Sequence, residues 1–343
     1  MVGLPPPRAQ ESRRPWSIMV DHGRVAPRAR RRAMPFCMAP LDWVLEPLGG
    51  PLFKRLAEEL SGPELQSVLL EVMQRRAARR TPGELVRQYR QDGFCEPSPV
   101  DLRTSLSIDL QWLEAASTFE AIELSPVAPL GACSLVAPTH QHRVLSALRG
   151  TEVVSDPTNV LALECAARMR GQPKASVHLA SSQRILRAQP QPKSAGYSQH
   201  FRIIVLGSGG VELKEHGFTL QTVLQHIRTA LRGLELLELA GYSFGKRRVA
   251  LHATARRKAV AERIAGDLAA LTTVSLLEHP YYSGGLRFQV WVTTPDGEEL
   301  PLIDGGTFDW LAQLTSNRRA VYVATGVGAQ IIALRFAGPQ RGS

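Results

Sequence analysis

The side chains that could do chemistry lie in short groups, and most of these groups lack the spacing that a known reaction requires. His140 and His142 would share one face of a strand, but with only the more distant Cys133 for company we predict no metal site. Three serines have no recognisable nucleophile context: Ser134, Ser181 and Ser182. The P-loop spacing and the HExxH pattern are both absent. Gly207–Gly210 does not match the dinucleotide-binding spacing, which favours a tight turn.

Three further groups could either bind a ligand or serve only the fold. Arg184 and Arg187 could bind an anion, because guanidinium groups pair with phosphate and carboxylate oxygens. They could equally project into solvent or pair with nearby acids. Asp156-Pro-Thr158 could face a substrate or simply cap a helix. Tyr281-Tyr282 could contact a ligand or pack in the core. Composition and spacing alone therefore indicate a soluble α+β protein of unknown activity.

The composition limits the classes of protein to which the chain can belong. It has 343 residues, of which 44% are hydrophobic and 21% are charged, an ordinary globular balance. No apolar run approaches the ~20 residues that a membrane span needs, and no secretory signal is visible, so we expect a cytoplasmic protein with no membrane partner. The four cysteines form no CxxC pair and are expected to be reduced: Cys37, Cys95, Cys133 and Cys165.

The net charge of +10 is concentrated near the N-terminus. Residues 1–33 hold eight arginines against Glu11 and Asp21, together with several prolines, and they show no helical or strand period. We therefore predict a disordered basic arm over residues 1–33. Three explanations stay open: an upstream start codon that is not used, with Met34 as the true start; a solvated arm; or an arm that binds nucleic acid.

The elements that would position these groups change in character near residue 98. Residues 34–97 are predicted to form a helical N-terminal region, with helix starts at Ser61-Gly-Pro-Glu64 and Thr81-Pro-Gly-Glu84. Residues 98–338 mix strands and helices without strict strand–helix–strand alternation, and residues 339–343 form a tail. This order predicts an α+β fold with a mainly antiparallel sheet.

Six segments between residues 100 and 336 follow the order of motifs in a known family. They are Phe119–Val127, Val154–Thr158, Ser182–Arg187 with Gln199–Phe201, Pro280–Gly284, Gly305–Leu311 and Val321–Val327. Together they resemble the catalytic core of class II aminoacyl-tRNA synthetases of the histidyl type, which includes the regulatory subunit of ATP phosphoribosyltransferase. The resemblance implies a class II synthetase-like antiparallel sheet flanked by helices, and a homodimer formed through the region of Pro126.

The resemblance also implies a site. It makes Arg184 the catalytic residue, which would contact the α-phosphate of ATP, and it makes Asp156 the group that holds an ammonium. The other implied substrate-binding residues are Thr158, Arg187, Gln199, Arg202, Tyr281 and Tyr282. ATP with Mg²⁺ is the implied cofactor. All eight residues are expected to converge on one concave pocket beside a mobile loop over residues 188–198.

Several departures from the family pattern lower the expected activity. Leu186 stands where motif 2 has a glutamate, and Leu277 stands where the histidyl type has an arginine. Thr307-Phe308 replaces the family's Arg-Tyr, and Gly328-Ala329 replaces the Glu-Arg pair of motif 3. Because the loss of one preorganised charged donor costs about 10²–10³ in rate, little synthetase chemistry should remain. Arg202 and Leu206 replace the Gln and Glu that hold the substrate's amino group, which predicts a more cationic pocket that prefers an anionic ligand.

Three functions remain open at this stage. The first is a catalytically reduced class II synthetase-like protein that binds a small metabolite or nucleotide and regulates a partner enzyme, similar to the ATP phosphoribosyltransferase regulatory subunit. The second is an active ATP-dependent enzyme that adenylates an amino acid or transfers it to a non-tRNA acceptor. The third is an RNA-binding protein that uses residues 1–33 and the arginines within 75–80.

Overall fold

The computed structural model describes residues 45–46, 49–190, 197–268, 272–336 and 338. The predicted basic arm over residues 1–33 and the predicted tail over residues 339–343 lie outside these ranges, as does most of the predicted mobile loop over residues 188–198. No helix in the described part of the chain is long and apolar enough to cross a membrane.

Three helices with both ends defined lie in the described part of the N-terminal region. They are α1 (Gly50–Lys54), which continues as a π-helical turn over Arg55–Glu59, α2 (Gly62–Ala78) and α3 (Pro82–Gln91). Both predicted helix starts are confirmed. The Ser61 amide donates to the Glu64 carboxylate at 2.8 Å, and the Thr81 amide does the same to Glu84. These reciprocal capping boxes fix where α2 and α3 begin. No residue of the three helices is buried.

An eight-stranded sheet forms the centre of the described structure. In chain order its strands are β1 (Glu120–Ala121), β5 (Val177–Leu186), β6 (His200–Val211), β7 (Arg247–Ala253), β8 (Thr272–Leu276), β9 (Leu286–Thr293), β10 (Glu299–Phe308) and β11 (Ala320–Val327). Their order across the sheet is β1-β5-β6-β11-β10-β9-β7-β8. The inner pairs are antiparallel, and the two edge strands pair in parallel. A separate small sheet contains β2 (Val127–Pro129), β3 (Ser146–Ala147) and β4 (Thr151–Val153).

Helices cover both faces of the large sheet, so in the described part of the chain a large hydrophobic core lies on each side of it. Helices α4 (Leu102–Ala115), α6 (Gly217–Leu239), α7 (Lys258–Leu268) and α9 (Ala329–Arg335) pack on one face. Helices α5 (Pro157–Gly171) and α8 (Trp310–Thr315) pack on the other. We call these the α4 face and the α5 face. Because successive strand residues alternate between the two faces, the parity of a residue number decides which core its side chain enters.

Two local predictions are wrong, and each has a physical reason. The single strand expected over Phe119–Val127 is two short strands in different sheets, because Pro126 has no amide hydrogen to donate to a ladder. The tight turn expected at Gly207–Gly210 is instead the interior of β6. Glycine is required there because a Cβ at Gly209 would lie 2.8 Å from Leu311 and 3.0 Å from Cys165, so the helices of the α5 face approach the strand backbone closely.

Candidate functional site

The start of α5 places Asp156 at the edge of a pocket. One carboxylate oxygen, Oδ1, accepts hydrogen bonds from the Thr158 amide at 3.0 Å and from the Thr158 hydroxyl at 2.7 Å, which is N-cap geometry. The other oxygen, Oδ2, lies 3.4 Å from the Tyr281 hydroxyl and 4.0 Å from the Arg187 guanidinium. The structural and the ligand-binding interpretations of Asp156 therefore apply to different oxygens, and Oδ2 keeps accepting capacity for a ligand.

Arg187 lies beside Asp156 on the same face of the sheet. Its Nε donates to the carbonyl oxygen of Ser155 at 3.0 Å, and its guanidinium carbon lies 5.2 Å from the centre of the Phe201 ring. These two contacts fix the guanidinium plane and leave its terminal nitrogens directed toward Asp156. Burial raises the pKa of the neighbouring Tyr281 hydroxyl well above its usual value, so Tyr281 is a neutral hydrogen-bond donor at neutral pH.

A second carboxylate, Asp304 on β10, faces the same pocket and is already fully engaged. The Tyr282 hydroxyl donates to it at 2.6 Å, and Arg287 forms a two-pronged pair with it at 2.5 and 3.1 Å. The Arg287 guanidinium also lies over the Tyr282 ring at 5.0 Å. Burial lowers the pKa of Arg287, but the Asp304 carboxylate outweighs burial and raises it overall. Arg287 is thus a charged partner of Asp304 and is not free to bind phosphate.

We call the cavity between these groups the Asp156 pocket. Its polar lining comes from Asp156, Thr158, Arg187, Tyr281, Tyr282, Asp304 and Thr325, and its apolar lining includes Ile203, Leu302 and Phe308. Its volume is about 40 Å³, which is room for a water molecule or a small polar group. Sites that hold drug-sized ligands are roughly 300–1,000 Å³, so the Asp156 pocket is closed around its own side chains.

Arg184 and Arg202 lie on the opposite, α4 face of the sheet. They are directly paired across β5 and β6, and a pair of this kind shares one face. Arg202 contacts Asp109 of α4 at 2.6 Å, and Ser182 donates to the other oxygen of the same carboxylate at 2.7 Å. Arg184 donates to His200 at 2.9 Å. Burial, together with the neighbouring Arg202, lowers the pKa of Arg184, so this arginine occupies a crowded structural site.

Gln199 supports the chain beside the pocket without lining it. With its amide oriented to satisfy its neighbours, the Gln199 nitrogen donates to the carbonyl oxygens of Arg187 at 2.6 Å and Gln189 at 3.2 Å. These bonds hold together the two chain segments where β5 ends and β6 begins. Gln199 therefore positions Arg187, and its own side chain lies outside the lining of the Asp156 pocket.

Comparisons with known proteins give an answer at the level of the fold. No protein family model and no curated protein matches the chain. Among solved structures, an ATP phosphoribosyltransferase regulatory subunit/histidyl-tRNA synthetase from Bacillus halodurans matches with a TM-score of 0.50 and 13% identity, over 69% of this chain and 82% of that one. Apo histidyl-tRNA synthetase from S. aureus matches with a TM-score of 0.51 and 13% identity, over 69% of this chain and 66% of that one. A histidine–tRNA ligase subunit from Alicyclobacillus acidocaldarius matches with a TM-score of 0.51 and 12% identity, over 71% of this chain and 95% of that one.

This chain has the class II aminoacyl-tRNA synthetase fold. The predicted fold class and the suspected relationship to the histidyl type are confirmed at that level. At these identities the likeness concerns architecture, and function has to be argued from the site. The homodimer expected through Pro126 and the division of the chain at residue 98 stay predictions.

Within this class II fold, the eight predicted site residues do not all converge. Five of them line the Asp156 pocket: Asp156, Thr158, Arg187, Tyr281 and Tyr282. Arg184 and Arg202 point into the α4 face, and Gln199 lies beside the pocket. The expectation of a more cationic pocket rested on Arg202 and Leu206, which share that other face, so it is wrong. On the α5 face, the neighbouring residues of β6 are the apolar Ile203 and Val205.

Sequence analysis missed Asp304, which lines the pocket, and Arg287, which pairs with Asp304. A signal for Asp304 was present, because its carboxylate interrupts the apolar run of Leu302 and Ile303 immediately before the glycine pair at 305–306. A charged residue in a buried strand needs a partner, and Arg287 on the adjacent strand supplies it. Only the register of β9 against β10 identifies that partner.

Proposed function

We propose that this chain is a catalytically reduced class II synthetase-like protein that binds a small metabolite in the Asp156 pocket and regulates a partner enzyme. The observation that carries the proposal is the side of the sheet that Arg184 occupies. The arginine expected to contact the ATP α-phosphate instead belongs to the network of the α4 face, together with His200. Arg187, which lines the pocket, lies against Asp156, and Arg287, which lies outside the lining, is paired with Asp304.

ATP with Mg²⁺ is a poor fit to the Asp156 pocket for two reasons. A cavity of about 40 Å³ would have to widen far more for a nucleotide than for a small metabolite. In addition, stabilising charge at a transferring phosphate requires unpaired, preorganised cations, and the pocket supplies Arg187 alone beside a carboxylate. The end of β11, where the family places its second phosphate-binding arginine, continues into Gly328 and the buried Ala329.

The lining of the pocket suits a small ligand that carries both charges. Asp156 Oδ2 can accept from an ammonium group, and Arg187 can bind a carboxylate within a few ångströms of it. Tyr281 adds a neutral donor between them. Binding would have to widen the cavity, which is compatible with a ligand that changes the shape of the protein and thereby its action on a partner.

The partner enzyme is proposed from the Bacillus halodurans neighbour, which is named as an ATP phosphoribosyltransferase regulatory subunit. The catalytic subunit of ATP phosphoribosyltransferase from the same genome as this chain should form a complex with it that is visible by analytical ultracentrifugation. Its reaction rate should change when the chain is added. Neither a complex nor a rate change at micromolar concentrations would refute this choice of partner.

Loss of adenylation is tested separately by ATP–pyrophosphate exchange with each amino acid. We expect no exchange above background, with a histidyl-tRNA synthetase as the positive control. If exchange is seen, and if Arg187→Ala abolishes it while Arg184→Lys does not, the chain is an active enzyme. That result would contradict the proposed loss of catalysis and would favour the amino acid-activating alternative.

A further inference from the structure

We infer that a second cavity binds a phosphate-bearing small molecule. It shares only Phe308 with the lining of the Asp156 pocket. We call it the basic cleft. Its charged lining consists of two carboxylates, Glu212 and Asp309, and five cations: Lys214, Arg256, Arg257, Arg318 and Arg319. Its volume is about 920 Å³, within the range of roughly 300–1,000 Å³ that is typical of ligand sites. The inference is independent of the proposed function, because it concerns a different set of residues.

The two acidic side chains of the basic cleft are already engaged by the protein. The Glu212 carboxylate accepts hydrogen bonds from both the amide and the hydroxyl of Thr219, at 3.2 and 2.5 Å, and lies 3.8 Å from Arg257. Asp309 accepts from the Ser283 hydroxyl and from Gln313 at 2.9 Å. Both carboxylates keep their charge, and against the five lysine and arginine side chains of the cleft they leave a formal net charge of +3.

Three of the five cations are not bonded to an acceptor within the described residues. Lys214, Arg256 and Arg318 are exposed, and within the described residues none of them makes a side-chain hydrogen bond or an ion pair. The two remaining arginines are held in place: Arg257 donates to the Gly284 carbonyl at 3.1 Å, and Arg319 to the Glu212 carbonyl at 2.9 Å. Fixed and free guanidinium groups around one cavity are suited to binding phosphate oxygens.

The backbone at one side of the cleft is strained. Glu215 and His216 both have left-handed backbone, with φ of 53° and 59°. Such strain in non-glycine residues concentrates at binding sites.

The apolar part of the lining favours a phosphate ester of a small molecule over a nucleic acid. Phe308, Ala320 and Val321 are buried and line the same cavity as the cations. A ligand that carries both an anionic group and an apolar or aromatic body would cover both surfaces. RNA would be expected to contact an extended basic surface, whereas here the free cations line a single cleft.

Isothermal titration with inorganic pyrophosphate, at low and at moderate salt, tests the inference on the full chain. The wild type should bind about one pyrophosphate per chain. The double variant Arg256→Ala/Arg318→Ala should weaken this binding about a hundredfold or more, because two charge-assisted hydrogen bonds to the anion are lost. The control Arg103→Ala/Arg170→Ala removes the same charge from exposed sites outside the cleft and should change the affinity less than twofold.

Three outcomes would overturn the inference. They are no heat of binding at millimolar pyrophosphate, equal losses in the cleft and control variants, or tight binding of a single-stranded RNA with no pyrophosphate binding. Folding does not confuse the test, since the substituted arginines are exposed and within the described residues have no partners to lose. Circular dichroism melts of both double variants should match the wild type.

Discussion

Arg184 and Arg187, three residues apart at the end of β5, lie on opposite faces of the sheet. Arg184 donates to His200 on the α4 face, whereas Arg187 lies above Phe201 and beside Asp156 on the α5 face. An odd separation along an extended chain reverses the side on which a side chain lies. The expected phosphate-binding arginine and the arginine that actually lines the pocket are therefore different residues.

The network of the α4 face should be important for stability. Asp109→Ala would leave the partly buried Arg202 without its carboxylate and should lower the free energy of unfolding by about 1–3 kcal/mol, because the burial that raises the pKa of Asp109 offsets part of the gain from charge pairing. Urea denaturation measures this change. Adding Arg202→Met to the Asp109→Ala variant removes the uncompensated charge and should restore at least half of the loss. No recovery would mean that the contribution of Asp109 is packing rather than charge pairing.

The two roles of Asp156 can be separated by choosing the substitution. Asp156→Ala removes the N-cap of α5 and should destabilise the protein by about 1 kcal/mol. Asp156→Asn keeps a capping oxygen for Thr158 and should cost only a few tenths of a kcal/mol, while removing the negative charge that faces Arg187. Thermal unfolding compares the two variants. Equal losses of stability would place the importance of Asp156 in its charge and not in the cap.

Close packing between α4 and α6 gives a prediction that opposes helix propensity. A Cβ at Gly233 would lie 2.5 Å from the Trp112 ring, so Gly233→Ala should destabilise the fold by about 1–3 kcal/mol. Gly266 on the exposed side of α7 has nothing within 4 Å, and Gly266→Ala should stabilise it by about 0.5–1 kcal/mol. Chemical denaturation of both variants is sufficient. A stabilising Gly233→Ala would show that α4 and α6 are not packed in this way.

The sequence predicted local features well because their causes are local. The capping boxes at Ser61 and Thr81 require residues only three apart in the chain. The face of β5 was not predictable in the same way. Helices cover both sides of the sheet, so side chains of β5 enter a core on each side. Ile185 and Arg187 lie on one face, and Ser182 and Arg184 lie on the other, so neither face of the strand is purely apolar. Hydrophobic periodicity then cannot tell the pocket face from its opposite.

The non-local half of the site was hidden for a related reason. Asp304 and Arg287 are 17 residues apart, and they meet only because β9 and β10 pair in one register. A β-bulge between Pro301 and Ile303 shifts that register, and nothing in the local sequence indicates the shift. The motif resemblance placed Tyr281 and Tyr282 correctly at the pocket because it carries long-range information that composition and periodicity lack.

A buried histidine should make the stability of the protein depend on pH. His226 of α6 is fully buried between the hydroxyls of Ser208, at 2.8 Å, and Thr325, at 2.7 Å. Burial, with a smaller effect from His178, lowers the pKa of His226 to about 3. The folded protein therefore keeps His226 neutral, whereas the unfolded chain takes up a proton below its ordinary pKa of about 6.5.

The sign of the pH effect follows from this difference. The contribution of neutral His226 to the free energy of unfolding is fully present above pH 6.5. It falls as the pH drops from about 6.5 toward 3, because only the unfolded state gains the proton. Between pH 7 and pH 5 this one residue should remove about 2 kcal/mol from the free energy of unfolding. Urea denaturation at a series of pH values measures the slope. His226→Gln should flatten it, whereas Arg228→Gln on the exposed side of α6 should not, since arginine does not titrate in this range. An unchanged slope in His226→Gln would show that other groups cause the pH dependence.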